Sequence, residues 1–146
     1  FHLVGKDFED DYSNELKARI KNDNLENHVF IYGSKPDTEY IISQAAICIL
    51  TSESEGLPVA LIEYGMQKKP VVATAVGEIP NILKNKKNAY LAPSNNVVEF
   101  SNNLIALIEN ENQRNDMAQE FYNTIFENYS VQKVIHKYLS FIKNED

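Results

Sequence analysis

The chain has 146 residues, 43% of them hydrophobic and 24% charged, which suits one soluble domain with a core of its own. A formal net charge of −7 has the wrong sign for a nucleic-acid polymer or an anionic membrane as partner, while a small anion held by backbone N–H groups stays open. One cysteine and three histidines without shared spacing exclude a disulfide framework and a Cys/His metal cluster.

Phe1-His2-Leu3-Val4-Gly5 reads as a strand already in progress, and the abrupt start is that of a piece cut from a longer chain. No signal peptide or bilayer-length apolar run is legible, so the domain is expected in the cytoplasm. Tyr12 to Lys21 follows as an amphipathic helix with Leu16 and Ile20 at helical spacing. Val29-Phe30-Ile31-Tyr32 is a second strand closed by Gly33, Thr38 to Gln44 a short helix, and Ala46 to Leu50 a third strand. Cys48 lies inside that apolar run and reads as a small buried hydrophobe rather than a nucleophile. A helix over Pro58 to Met66 and a strand over Pro70 to Thr74 complete a β-α-β-α rhythm, and Asn88 to Leu91 adds a short last strand. Strands apolar on both faces, alternating with helices, predict an α/β fold: a Rossmann-like, doubly wound parallel sheet with helices on both faces. The rest is a helical tail with three stripes: Val97, Phe100, Leu104, Ile105 and Ile108; Met117, Phe121 and Ile125; and Val131, Ile135, Tyr138 and Ile142.

In such sheets ligands sit beyond the carboxyl ends of the strands, where helix N-termini point their N–H groups. Three loops hold that place: Gly33 to Pro36, Ser52 to Pro58 and Ala75 to Asn81. The second is the most informative. Gly56 lets backbone approach a ligand closely, and Pro58 suits the first turn of a helix because its missing N–H would go unsatisfied there. The amides of Val59 and Ala60 then face outward with the positive end of the helix dipole, a seat for phosphate. Glu63 follows five residues after Pro58, about 7.5 Å along the helix axis. Its neighbours Leu61, Ile62, Tyr64 and Met66 are of the kind that face a core, where a carboxylate needs polar partners such as ligand hydroxyls. The competing reading is a helix-capping loop with Glu63 turned to solvent. Neither G-x-G-x-x-G nor G-x-x-x-x-G-K-[ST] occurs, which removes the usual phosphate cradles of dinucleotide oxidoreductases and P-loop NTPases.

The run from Ser54 to Thr74, SEGLPVALIEYGMQKKPVVAT, resembles the hallmark segment of the family-4 (group 1) retaining glycosyltransferases of GT-B fold, E-G-x6-E-A-x5-P-V-V-A-T. The likeness continues through Val76-Gly77-Glu78-Ile79-Pro80, the Asn88 to Leu91 strand and the terminal helices, and reaches back to Leu3-Val4-Gly5.

This resemblance implies the C-terminal, donor-binding half of such an enzyme, residues 1–146 forming one nucleotide-sugar domain. The implied reaction transfers a sugar from a nucleotide-sugar to an acceptor hydroxyl with retention of configuration, in polysaccharide or glycoconjugate biosynthesis. By the same resemblance, Glu63 takes the ribose hydroxyls and Glu55, the candidate catalytic residue, orients the donor sugar. Gly56 and Leu57 lend backbone to the donor, Val59 and Ala60 offer amides to the diphosphate, and Gly33, Ser34 and Lys35 lie near the base. The donor is expected to be a UDP- or GDP-sugar, used as substrate without a cofactor or metal. The acceptor-binding N-terminal domain and the diphosphate-neutralising Arg and Lys would lie upstream, so the fragment alone is expected to be inactive. Attachment to the cytoplasmic face of a membrane would be governed by that absent half. The chain departs from the family pattern at Gly77-Glu78, Asn81, Asn88 and Tyr64-Gly65. The alternative is a non-catalytic nucleotide or nucleotide-sugar binding module on the same fold.

Overall fold

The computed structural model describes residues 1–143. The chain divides into two units, Phe1–Tyr40 and Ile41–Asp146. The first holds β1 (His2–Leu3), α1 (Asp11–Asn22) and β2 (Phe30–Ile31). The two strands pair in parallel, His2 opposite Phe30 and Leu3 opposite Ile31. Asp10 caps α1 by accepting the Ser13 N–H at 2.9 Å, which satisfies one of the orphan donors of the first turn. Beyond the strand ends, the Gly5 N–H donates to the Gly33 carbonyl at 3.1 Å. Gly33 has φ +67°, a left-handed turn that glycine makes without steric penalty.

Helix α2 (Thr38–Gln44) carries the division between the units and has the bounds the sequence predicts. In the second unit, β3 (Cys48–Leu50), α3 (Val59–Met66), β4 (Val71–Thr74), α4 (Ile79–Ile82) and β5 (Tyr90–Ala92) alternate. Strands β3, β4 and β5 form one parallel sheet in that order, with Ile49 opposite Val72 and Val72 opposite Tyr90. Helices α5 (Val97–Glu109), α6 (Glu111–Tyr129) and α7 (Val131–Lys143) follow. The four-residue helix α4 was not anticipated.

Alternation along β4 divides the core. Val71 and Ala73 join Leu61 of α3, Ile79 and Ile82 of α4, and Phe121 and Ile125 of α6 on one face of the sheet. Val72 joins Tyr90 of β5, Leu107 of α5 and Met117 of α6 on the other. Side chains of successive strand residues point to opposite faces, so a strand covered on both sides must be apolar throughout. The α/β fold with parallel strands, helices on both faces of the sheet and a helical tail is therefore as expected.

Further details differ from expectation: the last strand, expected over Asn88 to Leu91, runs from Tyr90 to Ala92. The inward face of α5 is built from Phe100, Leu104 and Leu107, with Leu107 fully buried and Val97, Ile105 and Ile108 exposed. Asn103 shares that face because its amide donates to the Leu91 carbonyl at 3.1 Å. On α7, all four stripe residues Val131, Ile135, Tyr138 and Ile142 are exposed. Pro58 is the N-cap of α3 at φ −72°, ψ 117°, one position before the first helical residue; an extended ψ breaks the helix there.

Helix α3 lies very close to α6. A Cβ added to Gly65 would overlap Ile125 Cγ1 and come within 3.1 Å of Ile125 Cβ and 3.3 Å of Phe121 Cε2. Bonds made by Asn88, itself buried, tie the region beneath the sheet: its Oδ1 accepts the Lys84 N–H at 2.7 Å and its Nδ2 donates to Thr124 Oγ1 at 3.0 Å. No helix among the described residues is long and apolar enough to cross a membrane.

Candidate functional site

The loop from Thr51 to Pro58 leaves the carboxyl end of β3 and enters α3. Its neighbour, the loop after β4, is pressed against it. Gly77 in that second loop has φ +52°, and a Cβ there would overlap the Glu55 carbonyl oxygen and stand 2.9 Å from its carbon. Only glycine fits both the backbone angle and the contact. A second tie comes from Thr74, the last residue of β4, whose buried Oγ1 donates to the Ser52 carbonyl at 2.6 Å.

These ties hold Glu55. Its side chain is half-buried, and Oε1 accepts the Ser52 hydroxyl at 2.6 Å. A hydrogen bond to an ionised acceptor is short and strong. Next to it Gly56 and Leu57 are exposed, and nothing lies within 4 Å of where a Gly56 Cβ would be.

At the start of α3 no side chain caps the terminus. The Leu61 N–H turns back to the Pro58 carbonyl at 3.1 Å, which leaves the Val59 and Ala60 amides as the first-turn donors without an intrahelical acceptor. Val59 is 66% exposed and Ala60 half-buried. One turn on, Glu63 is exposed and shares the face of Val59, opposite the buried residues Leu61 and Gly65. This corrects the expectation that the apolar company of Glu63 turns it toward a core. The apolar neighbours split around the helix: Leu61 goes inward and Met66 outward with Glu63. Among the described residues, Glu63 has no ion pair or hydrogen-bonding side chain.

Behind this face, burial pushes the Tyr64 hydroxyl up to about 12, with Cys48 and Glu63 adding to the shift. Burial likewise raises the Cys48 thiol to about 12 against the opposing charge of Lys69. Cys48 is thus the small buried residue the sequence predicts, protonated and poorly suited to nucleophilic work. Departures from the family pattern also find local roles: Asn81 Nδ2 donates to Glu78 Oε2 at 2.7 Å on the surface.

In the first unit, Gly33 is half-buried and Ser34 and Lys35 are exposed. That unit also has a cavity of about 400 Å³ bordered by Leu3, Lys6, Asp7, Tyr12, Leu16 and Lys17, among others, and by none of the predicted site residues. The Lys17 ammonium, 2.5 Å from Asp7 Oδ2, holds the Asp7 carboxyl below its ordinary range, helped by the Glu9 N–H. Among the described residues no group of three or more His, Cys, Asp or Glu could hold a metal ion.

Ser52 and Thr74 join the site beyond the residues expected from the sequence. The S-x-x-E spacing of Ser52 and Glu55 was a usable signal, since it is the pattern of a capping box; here the pair bonds within a loop instead of around a helix start. Nothing in the sequence pointed to the Thr74 hydroxyl.

The family model described as "Glycosyl transferases group 1" matches residues 1–124. The chain belongs to the group 1 glycosyltransferases. Within its set of relatives, this glycosyltransferase chain is 26% identical over 141 residues to the poly(ribitol-phosphate) alpha-N-acetylglucosaminyltransferase of Staphylococcus aureus (strain COL), covering 96% of this chain and 28% of that protein. The C-terminal domain of the group 1 glycosyl transferase LpcC from Francisella tularensis matches with a TM-score of 0.75 at 26% identity, over 84% of this chain and 64% of that one. HepE of Anabaena, solved in complex with UDP-glucose, matches with a TM-score of 0.90 over 97% of this chain and 40% of that chain; at 23% identity it establishes the fold, of GT-B type. The glycosyltransferase chain therefore spans well under half the length of the Staphylococcus enzyme and of HepE.

Proposed function

We propose that this chain is the donor-binding part of a retaining glycosyltransferase that uses a nucleotide-activated sugar. The observation that carries the reading is the open start of α3, where two free amides, Val59 and Ala60, precede an exposed, unpaired Glu63 on the same helix face. Helix-end amides favour a diphosphate, and a carboxylate one turn further on is suited to the two hydroxyls of a ribose. Glu55, steadied by Ser52, orients the donor sugar, with Gly56 and Leu57 lending backbone beside it. By family resemblance, amides and cationic side chains rather than a metal carry the charge of the leaving diphosphate, one form of electrostatic stabilisation of a leaving group.

UDP is the favoured nucleotide over GDP, because the structural relative HepE was solved in complex with UDP-glucose. Transfer would go to a hydroxyl of a glycoconjugate or polysaccharide acceptor, in keeping with the poly(ribitol-phosphate) in the name of the Staphylococcus relative.

The test is calorimetric titration of the intact protein with UDP and GDP. UDP is expected to bind, and Glu63→Ala to weaken it by about 1.5–3 kcal/mol, the scale of a charged hydrogen bond. Unchanged affinity in Glu63→Ala, or no binding of either nucleotide, refutes the proposal.

A further inference from the structure

We propose that Ser52 is a positioning residue that fixes the carboxylate of Glu55 toward the donor sugar, and that Thr74 fixes Ser52 in turn. The inference rests on the donor-site reading above but concerns residues that reading does not need for nucleotide binding.

Three observations carry it. Ser52 Oγ donates to Glu55 Oε1 at 2.6 Å, which leaves Oε2 without a protein partner among the described residues. One oxygen is thereby committed to holding the side chain, and the other is free to accept from a ligand hydroxyl. The Ser52 backbone is itself held, since its carbonyl accepts the Thr74 hydroxyl at 2.6 Å. Thr74 is 6% exposed and ends the fully buried strand β4, so the restraint originates in the sheet and not in the loop. The Glu55 backbone is bounded from the other side by Gly77, whose lack of a side chain admits the Glu55 carbonyl.

A free glutamate is among the costlier side chains to immobilise. Fixing its rotamer before the ligand arrives removes that cost from binding and narrows its aim, the usual role of supporting residues around a functional group. Because the restraint acts on Glu55 alone, its loss should be felt by the sugar and not by the nucleotide. That selectivity separates positioning from a general structural role.

The experiment compares, in the intact protein, the affinities of UDP and GDP with those of UDP-glucose, UDP-galactose, UDP-N-acetylglucosamine and GDP-mannose. The quantity read is the extra affinity that the best sugar adds to its own nucleotide. Ser52→Ala is expected to lower affinity for that nucleotide-sugar about tenfold, the effect of losing one hydrogen bond to a charged group, and Thr74→Val, which removes a neutral one, about fivefold, both leaving the bare nucleotide unaffected. Ser52→Thr keeps the hydroxyl and is expected to retain the sugar increment. Equal losses for nucleotide and nucleotide-sugar, no loss in Ser52→Ala, or failure of Ser52→Thr to rescue would each overturn the inference while the donor reading survives. A wild-type protein that binds no nucleotide overturns both.

Discussion

Gly77→Ala offers the sharpest test of how the two loops are built. The new Cβ would overlap the Glu55 carbonyl oxygen and sit 2.9 Å from the carbonyl carbon. Atoms in ordinary contact lie about 3.5–4 Å apart, so the Glu55 backbone has to retreat by more than about 1 Å. The obstacle is backbone on both sides, with no flexible side-chain end to swing away. Backbone angle adds a second cost, since φ +52° is a left-handed conformation worth about 1–2 kcal/mol against an L-residue. With over-packing at about 1–3 kcal/mol, Gly77→Ala should destabilise the protein by about 2 kcal/mol or more, read from urea unfolding midpoints at constant slope. A shift of about 1 Å at a site group is also enough to cost on the order of a hundredfold in a reaction that depends on its position. Gly77→Asn separates the two causes. Asparagine tolerates the left-handed region yet carries the same Cβ, so it is expected to fall with alanine. Wild-type stability in Gly77→Asn would show that the backbone angle is the whole effect and that the steric argument is wrong.

Gly65→Ala gains up to about 1 kcal/mol of helix propensity but drives a methyl into Ile125 and Phe121, both fully buried, so a net loss of about 1–2 kcal/mol is expected. Ile125→Ala alone should cost about 2–5 kcal/mol, and the double variant should be better than additive by at least about 0.5 kcal/mol in denaturant unfolding. Additive values would mean that α3 and α6 simply move apart. Asn88→Ala removes the partner of the Lys84 N–H and the Thr124 hydroxyl and should cost about 1–3 kcal/mol in the same assay; a change under about 0.5 kcal/mol, as at an ordinary surface site, would refute its stapling role. Cys48 and Tyr64 each hold their proton to about pH 12 in the folded chain, above ordinary values of 9.0 and 10.0. The folded state then binds more protons than the unfolded state, so stability is intact below about pH 9 and falls as pH rises toward 12. Tyr64→Phe should flatten part of that alkaline slope, seen as a smaller drop in melting temperature between pH 9 and 11; an unchanged slope counts against burial of the hydroxyl.

Much of this architecture is written in residue order. Val71-Val72-Ala73-Thr74 is apolar nearly throughout because it is covered on both faces, and such a run reads as a buried strand without further help. Met117, Phe121 and Ile125 announce the inner side of α6 because that helix buries one stripe and exposes most of the rest of its surface. Helix α5 was harder to read. Its apolar residues run most of the way round, and the stripe of Val97, Phe100, Leu104, Ile105 and Ile108 is turned part-way from the buried side, where Leu107 lies and Asn103, a polar residue, bonds to Leu91. Spacing on α7 was right for a helix, but periodicity says which residues share a face and not whether anything covers it. Glu63 was misjudged for a related reason: neighbours in sequence are scattered round a helix, and only those three or four positions away share its side. The bond from Ser52 to Glu55 is local and visible as S-x-x-E, whereas the restraint from Thr74 joins residues 22 apart in sequence and depends on two strands being adjacent.

Strand β4 is paired along both edges, with β3 and β5, and each of its four residues is no more than 6% exposed. Its amides can therefore exchange hydrogen with water only when the sheet around it opens cooperatively. An irregular loop fastened to such a strand inherits some of its stillness without needing regular structure of its own. The tip of such a loop can change its residues while the anchorage beneath it stays constant.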